Sequence, residues 1–186
     1  AEAGTLGLNL AAKTPQSVLT SNPPEAERAD ISLEANNSLG NPTFLVVTDG
    51  AVTGETGGEI VLRAQNITLN ESQLFAGIAG GFGSAESQAG TILLDATEDI
   101  KISNSIVFNE IEDNALGRGG DIRLSAENIE LFNARLNTEG LPAESSAGDI
   151  ELRANNRIIG TTDEFSFATI TSGVFCRPIV GPPGII

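Results

Sequence analysis

Residues 119–126 read GGDIRLSA, and five other stretches of the chain repeat this block. The other copies are AGTLGLNL at 3–10, ADISLEA at 29–35, GGEIVLRA at 57–64, AGTILLDA at 89–96 and AGDIELRA at 147–154. The leading aliphatic residues of successive copies are separated by 25, 29, 32, 30 and 28 residues. A repeat of this period indicates one structural unit stacked on copies of itself, because a single unit cannot bury its apolar face alone.

Within each repeat, apolar and polar residues alternate, which is typical of a strand with one buried face. In the copy at 57–64, a first strand holds Ile60 and Leu62. A second strand holds Ile67 and a third holds Leu74, each after a polar turn. Because no helical periodicity lies between the strands, we predict an all-β fold: a parallel β-helix (β-solenoid) of about six coils with three short strands per coil.

Aligned copies predict columns of stacked side chains inside the solenoid. The first aliphatic column is Leu6, Ile31, Ile60, Ile92, Ile122 and Ile150, and the second is Leu8, Leu33, Leu62, Leu94, Leu124 and Leu152. A narrow column of Ala35, Ala64, Ala96, Ala126 and Ala154 follows. On the outer side, Glu34, Arg63 and Asp95 alternate in charge, as in-register stacking would favour.

The turn after the first strand repeats an asparagine, which tolerates turn conformations and bonds its own backbone. These asparagines are Asn37, Asn66, Asn128 and Asn156. We expect them to form a ladder of side-chain amides along the rod. Glu98 and Asp99 interrupt the pattern in one copy, so a locally altered corner is predicted there.

Composition narrows the function. The 186 residues carry a formal net charge of −15, which disfavours nucleic acid and anionic membranes as partners. The single cysteine, Cys176, forms no internal disulfide and no metal cluster. No apolar stretch is long enough for a transmembrane helix, so no membrane insertion is expected. Because the chain begins without Met or a signal peptide, we interpret it as a mature piece or an excised fragment.

Two stretches carry a family resemblance: GGDIRLSAENIEL at 119–131 and GGEIVLRAQNITL at 57–69. They resemble the repeats of filamentous haemagglutinin-like exoproteins, the secreted partners of two-partner secretion systems, and most of all those of large cyanobacterial proteins. The resemblance covers about residues 3–159. Asn41-Pro42-Thr43-Phe44 is only vaguely similar to the motifs of the family's secretion domain, so we interpret the chain as a downstream passenger segment.

The resemblance implies a right-handed parallel β-helix that is exported by an outer-membrane transporter of the two-partner type. It implies a secreted or bacterial cell-surface location and adhesion to a host or neighbouring cell surface, a glycan or the matrix. The family has no shared catalytic residue to carry over. We therefore predict an adhesin-type scaffold with no catalytic, cofactor-binding or metal-binding residues and no cofactor; a purely structural spacer repeat is one alternative.

An enzyme is the other alternative, because polysaccharide lyases and glycoside hydrolases also use parallel β-helices. Glycoside hydrolysis needs two carboxylates about 5–9.5 Å apart. The candidate groups are Glu98 with Asp99, Glu110 with Glu112 and Asp113, and Asp163 with Glu164. All are predicted in turns, and the chain lacks the Trp, Tyr and His side chains that sugar clefts and acid–base catalysis favour. The prediction is therefore that the protein is not an enzyme.

Two further motifs favour structural interpretations. Gly119-Gly120-Asp121 resembles the start of a calcium-binding nonapeptide repeat, but that motif must recur every nine residues, whereas Asp121 and Asp149 are 28 residues apart. It is interpreted as a turn that leads into a strand. The glycosylation triplets at 36–38, 66–68 and 70–72 are expected by chance in a chain rich in Asn, Ser and Thr.

The repeat pattern divides the chain into a β-helix domain, residues 1–164, and a C-terminal end segment, residues 165–186, that forms a partial cap or a tail. A cap has a physical purpose, because an open solenoid end exposes its core and its strand edges. The stretches that vary most between copies are residues 15–27, 77–88 and 110–118, and we expect these loops to carry the adhesive contacts.

Overall fold

The computed structural model describes residues 28, 30–34, 43–49, 57–140, 145–163 and 169–171, and of residues 43–49 it describes the backbone only. Every regular element in these ranges is a β-strand. The strands are β1 (Ile31–Glu34), β2 (Thr43–Asp49), β3 (Ile60–Ala64), β4 (Ile67–Asn70), β5 (Ser72–Ile78), β6 (Gly83–Gln88), β7 (Ile92–Ala96), β8 (Asp99–Ser103), β9 (Ile106–Ile111), β10 (Leu116–Arg118), β11 (Ile122–Phe132), β12 (Arg135–Asn137), β13 (Ile150–Thr161) and β14 (Thr169–Thr171).

Strands of successive turns pair in parallel and make a β-solenoid of about three turns. The first column contains β3, β7 and the first halves of β11 and β13, and the second contains β1, β4, β8 and the second halves of β11 and β13. The third column contains β2, β5, β9, β12 and β14. These columns confirm the predicted all-β parallel solenoid; the predicted six coils are not confirmed.

A short fourth column, β6 and β10, returns the chain from the third column to the next turn. The sequence prediction of three strands per coil omitted it. The reason is local: β6 has the sequence GSAESQ, which lacks the aliphatic alternation that marks the other strands.

One predicted column assignment is wrong. Ile31 pairs with Ile67 and Leu33 with Leu69, so β1 lies in the second column rather than on top of β3. Glu34 correspondingly pairs with Asn70 and not with Arg63. First and second strands both read Ile-x-Leu, so the pattern alone could not separate the two columns. Leu6, Leu8, Ala35 and Asn37, which were assigned to the same columns, lie outside the described residues.

The rest of the predicted core is confirmed. Ile60, Ile92 and Ile122 are stacked and buried, and the leucine and alanine columns beside them are buried as well. Burying each Leu or Ile contributes about 1.5–3 kcal/mol. Burial decreases toward the last described turn, where the inward-facing Ile158 is 47% exposed and Ile170 is 56% exposed.

The corner between the first and second columns carries the predicted ladder with one change of membership. The side-chain amide of Asn156 donates to Asn128 at 2.7 Å, and that of Asn128 donates to the Asp99 carboxylate at 2.8 Å. The Asn66 side-chain oxygen accepts from the Asp99 backbone N–H at 3.2 Å. We call these four residues the corner ladder. Asp99 therefore continues the ladder at the place where an interruption was predicted.

The altered corner at Glu98 is confirmed. Two residues separate Ala64 from Ile67, whereas three separate Ala96 from the paired Ile100. The Glu98 carbonyl absorbs this extra residue by accepting from two consecutive backbone N–H groups of the next turn, those of Glu127 and Asn128.

A second stack, between the second and third columns, consists of residues in the left-handed conformation. Glu71, Asn104 and Asn133 have φ of 50°, 48° and 47°. The amide of Asn133 donates to the side-chain oxygen of Asn104 at 3.0 Å and to the Asp163 carboxylate at 2.9 Å. Asparagine suits this position because it tolerates the left-handed region better than most residues.

Polar side chains also cross the interior between the third column and the start of the first. Buried Asn109 donates through its amide nitrogen to the carbonyl oxygens of Gly90, at 2.7 Å, and Asp121, at 3.0 Å. One turn later, buried Thr138 donates to the carbonyl oxygen of Gly148 at 2.8 Å. A small apolar cluster of Ile78, Ala89, Ile111 and Ala115 lies apart from the main core.

Candidate ligand-binding surface

Two of the three predicted contact loops, residues 77–88 and 110–118, stack directly on each other. Their strands β6 and β10 pair, the Gly80 N–H donates to the Glu112 carboxylate at 2.9 Å, and the Leu116 N–H donates to the Phe82 carbonyl at 3.0 Å. Phe82 is 52% exposed at the tip of this double loop. Leu116 beside it is also exposed. The third predicted loop, residues 15–27, lies outside the described residues.

The outer side of the third column lies next to this double loop and carries aromatic rings. Phe75 and Phe108, paired across two turns, meet edge to face with ring centroids 6.3 Å apart. The Arg135 guanidinium lies 5.5 Å from the Phe108 ring centroid, within the range of a cation–π contact. Both rings are partly exposed because alternate residues of these strands point outward.

Two carboxylates lie on the same face and share one donor. The Asn137 amide nitrogen donates to Glu110 at 2.7 Å and to Glu139 at 3.0 Å. Arg135 forms a longer ion pair with Glu139 at 3.9 Å. We call Phe75, Phe108, Glu110, Arg135, Asn137 and Glu139 the third-column face.

Burial raises the pKa of Glu110 above its usual value of 4.5, although the Arg135 charge and the Asn137 hydrogen bond act in the opposite direction. Neighbouring Glu139 and Glu112 add to the rise through charge repulsion. The face therefore combines an aromatic ledge, a guanidinium and a carboxylate whose proton affinity is increased. Such a surface can stack on a ligand ring and exchange hydrogen bonds with hydroxyl groups beside it.

The other predicted acidic groups lie elsewhere. Glu98 accepts from the Gln65 side chain at 2.8 Å, and Asp99 belongs to the corner ladder. The Asn128 hydrogen bond lowers the pKa of Asp99, aided by the positive charge of Lys101 and opposed by partial burial. Asp163 bonds Asn133 on the second stack, and Glu164 lies outside the described residues. The structure therefore brings no second acidic group next to Glu110, Glu112 and Asp113.

The Gly119-Gly120-Asp121 segment is a tightly packed turn. A Cβ atom on Gly120 would lie 1.9 Å from the Gly90 carbonyl oxygen. The Asp121 carboxylate binds Arg123 at 2.7 Å and accepts from the Asp149 N–H at 3.0 Å. Nowhere in the described ranges do three or more His, Cys, Asp or Glu side chains group so that they could hold a metal ion.

Of the glycosylation triplets, 66–68 begins with a ladder residue and 70–72 spans the left-handed corner, while 36–38 and Cys176 lie outside the described residues. Sequence reasoning did not identify Asn137, Glu139 and Arg135. Their signal was the outward register of the third column, which pairs Ile106 with Arg135 and Phe108 with Asn137.

Comparisons with known proteins give no assignment: no protein-family description, no curated protein and no solved structure matches this chain. The described residues also form no helix that is long and apolar enough to cross a membrane.

Proposed function

We propose that this chain is a β-solenoid passenger segment of a secreted, filamentous haemagglutinin-like surface protein, and that it acts as a rigid scaffold for adhesion. The stacked loops 77–88 and 110–118, with the adjoining third-column face, make the adhesive contact. The ligand is a glycan, matrix component or surface of a host or neighbouring cell. The partner during export is an outer-membrane transporter of the two-partner type.

The observation that carries this proposal is the clustering of exposed apolar groups on one side of a regular rod. Phe82, Leu116, Phe75 and Phe108 follow one another along the double loop and the third-column face. Exposed aromatic residues on a rigid frame supply contact area at little cost in conformational entropy. The solenoid itself carries only repeated structural side chains, which favours a scaffold role.

The proposal includes finer features of the fold. The solenoid is right-handed, as parallel crossover connections almost always are. Its coils continue beyond the described turns toward six, the β-helix domain spans residues 1–164, and residues 165–186 form a partial cap or tail. β14 extends the third column inside that end segment.

Binding of the intact chain to arrays of glycans, matrix proteins and whole cells tests the adhesive role. Phe82→Ser should weaken binding about tenfold or more, whereas Phe132→Ser, which removes an exposed ring from the second column, should leave it unchanged. Absence of binding to every surface would leave only the spacer role. Equal loss in both variants would remove the double loop as the contact.

A polysaccharide-active enzyme is the second candidate, and Glu110 and Glu139 are the observation that favours it. Because both accept from one nitrogen, their nearest oxygens are at most about 5.7 Å apart, close to the separation in retaining glycosidases. The Asn137 amide, however, occupies the space between them. We therefore propose a binding surface and no catalysis.

Incubation with pectin, alginate and related polymers separates the two candidates. Turnover that is abolished by Glu110→Gln and retained by Glu86→Gln, a change of an exposed carboxylate on β6, would overturn the scaffold proposal. Polymer that binds without being shortened would support it.

A further inference from the structure

The corners between the first and second columns alternate in length along the rod. Three residues separate Ala96 from Ile100 and Ala154 from Ile158, whereas two separate Ala126 from Ile129. The corner of the turn that contains β11 is therefore shorter than the corners on both sides of it. A shorter corner between two longer ones leaves a depression in the surface.

That depression is a recess of about 210 Å³. Its polar lining consists of Arg28, Asp95, Thr97, Ser125, Glu127 and Asn155. Ser125 and Glu127 come from the short corner, Thr97 and Asn155 from the long corners on either side. Arg28 approaches from the segment that precedes β1.

Arg28 is the residue that points to a ligand. Its side chain is 6% exposed, and its Nη1 donates to the Asp95 carboxylate at 3.1 Å. Its buried Nε–H has no hydrogen-bond partner among the described residues. Buried donors are rarely left without an acceptor, because the loss of hydration costs about 1–3 kcal/mol.

The charges in the recess are already balanced by protein groups. Asp95 faces Arg28 and, at 3.6 Å, Arg63. The Glu127 carboxylate accepts from the Asn155 amide at 2.9 Å. Two guanidinium groups and two carboxylates leave no excess charge to attract an anion or a cation. What they leave are mixed donors and acceptors, together with the hydroxyl groups of Thr97 and Ser125.

We propose that this recess binds one neutral hexopyranose ring, either as a free sugar or as the terminal residue of a glycan. Vicinal hydroxyl groups match alternating carboxylate acceptors and guanidinium, hydroxyl and amide donors. The volume equals about seven water molecules, which fits a single ring and is smaller than the sites that take drug-sized ligands. The site lies at another corner than the double loop, and it does not depend on the adhesive role proposed above.

Saturation-transfer NMR and calorimetric titration of the intact chain with glucose, galactose and mannose test the site. At least one should bind saturably with a Kd on the order of 1 mM. Glu127→Gln and Arg28→Lys should each weaken binding about fivefold or more, because the first removes a charged acceptor and the second removes the planar Nε–H. Glu86→Gln is the matched control for the carboxylate, and thermal melting checks that each variant is folded.

Methyl glycosides distinguish the two sources of the sugar: binding of a methyl glycoside assigns a glycan terminus, and binding of the free sugar alone assigns a monosaccharide. No saturable binding of any of the three sugars would overturn the proposal. It would also be overturned by equal effects of Glu127→Gln and Glu86→Gln, or by tighter binding of glucuronate than of the neutral sugars. Because Phe82→Ser leaves the recess intact, its effect on adhesion and the effect of Glu127→Gln on sugar binding are separable.

Discussion

The side-chain amide of Asn109 donates a 2.7 Å hydrogen bond to the carbonyl oxygen of Gly90, which joins the third column to the segment that leads into the first. The same nitrogen binds the Asp121 carbonyl one turn later. One side chain thus connects two turns and two walls of the solenoid.

Asn109→Ala should therefore destabilise the protein strongly. It removes two buried hydrogen bonds and should lower the free energy of unfolding by about 2–3 kcal/mol, or the Tm by about 4–12 °C. Asn155→Ala, which removes one exposed hydrogen bond to Glu127, should change stability by less than about 0.5 kcal/mol. Urea unfolding of both variants measures the difference, and similar losses would show that Asn109 has no special role.

Gly120→Ala should be among the most damaging substitutions. The new methyl group would lie 1.9 Å from the Gly90 carbonyl oxygen and 2.6 Å from the Asn109 amide nitrogen, so two turns must separate to admit it. We expect a loss of about 3 kcal/mol or more. Gly160→Ala is the control, because no atom lies within 4 Å of its Cβ position; it should be neutral or stabilise by up to about 1 kcal/mol. Differential scanning calorimetry compares the two.

Glu71→Asn should stabilise the protein. Glu71 has φ of 50° in a stack whose other members, Asn104 and Asn133, already have the residue that tolerates this conformation. The gain should be about 0.5–1 kcal/mol. Glu71→Val, with a β-branched side chain, should instead lose at least that amount. Chemical denaturation measures both, and a destabilised Glu71→Asn variant would contradict the conformational argument.

Asp99 should make stability fall in acid. Its pKa is lowered, mainly by the Asn128 hydrogen bond, so its contribution is present above the usual value of 3.8 and is lost as the pH falls below it. The free energy of unfolding of the wild type, taken relative to Asp99→Asn, should therefore decrease between about pH 5 and pH 2. A difference that is constant with pH would show that the ladder does not favour the carboxylate.

Glu110 should have the opposite effect. Burial raises its pKa, so the folded protein holds this proton more tightly than the unfolded chain, and stability falls as the pH rises through and above 4.5. Glu110→Gln keeps an oxygen acceptor for Asn137 and removes this dependence. Relative to the wild type, it should gain stability on going from about pH 4 to pH 7, whereas Glu86→Gln should not. Denaturation curves at the two pH values provide the test.

Most of the fold could be predicted because the interior repeats. Ile60, Ile92 and Ile122 occupy equivalent positions and are stacked and buried as predicted. The failure at Ile31 has a physical cause: first and second strands share the same short apolar alternation, and only backbone pairing distinguishes them. Asp30 gave a further sign, since its carboxylate accepts from the Asn66 backbone and side chain at the corner, as a ladder residue does.

The polar features were harder to predict because they do not repeat regularly. Asn109 and Thr138 occupy consecutive inward positions of the third column with different chemistry, so no pattern identified them. The left-handed corner did leave a signal, since Glu71, Asn104 and Asn133 each follow the second-strand aliphatic pair by two residues. The recess could not be read from any single copy, because it arises from a difference in corner length between neighbours.

Ala76 stands in the first complete turn where Asn109 stands in the next. The cross-section there is supported by packing alone, whereas Asn109 and Thr138 brace the two following turns. Under compression perpendicular to its axis, the rod should therefore flatten first at the level of Ala76, so that its bending stiffness is graded along its length.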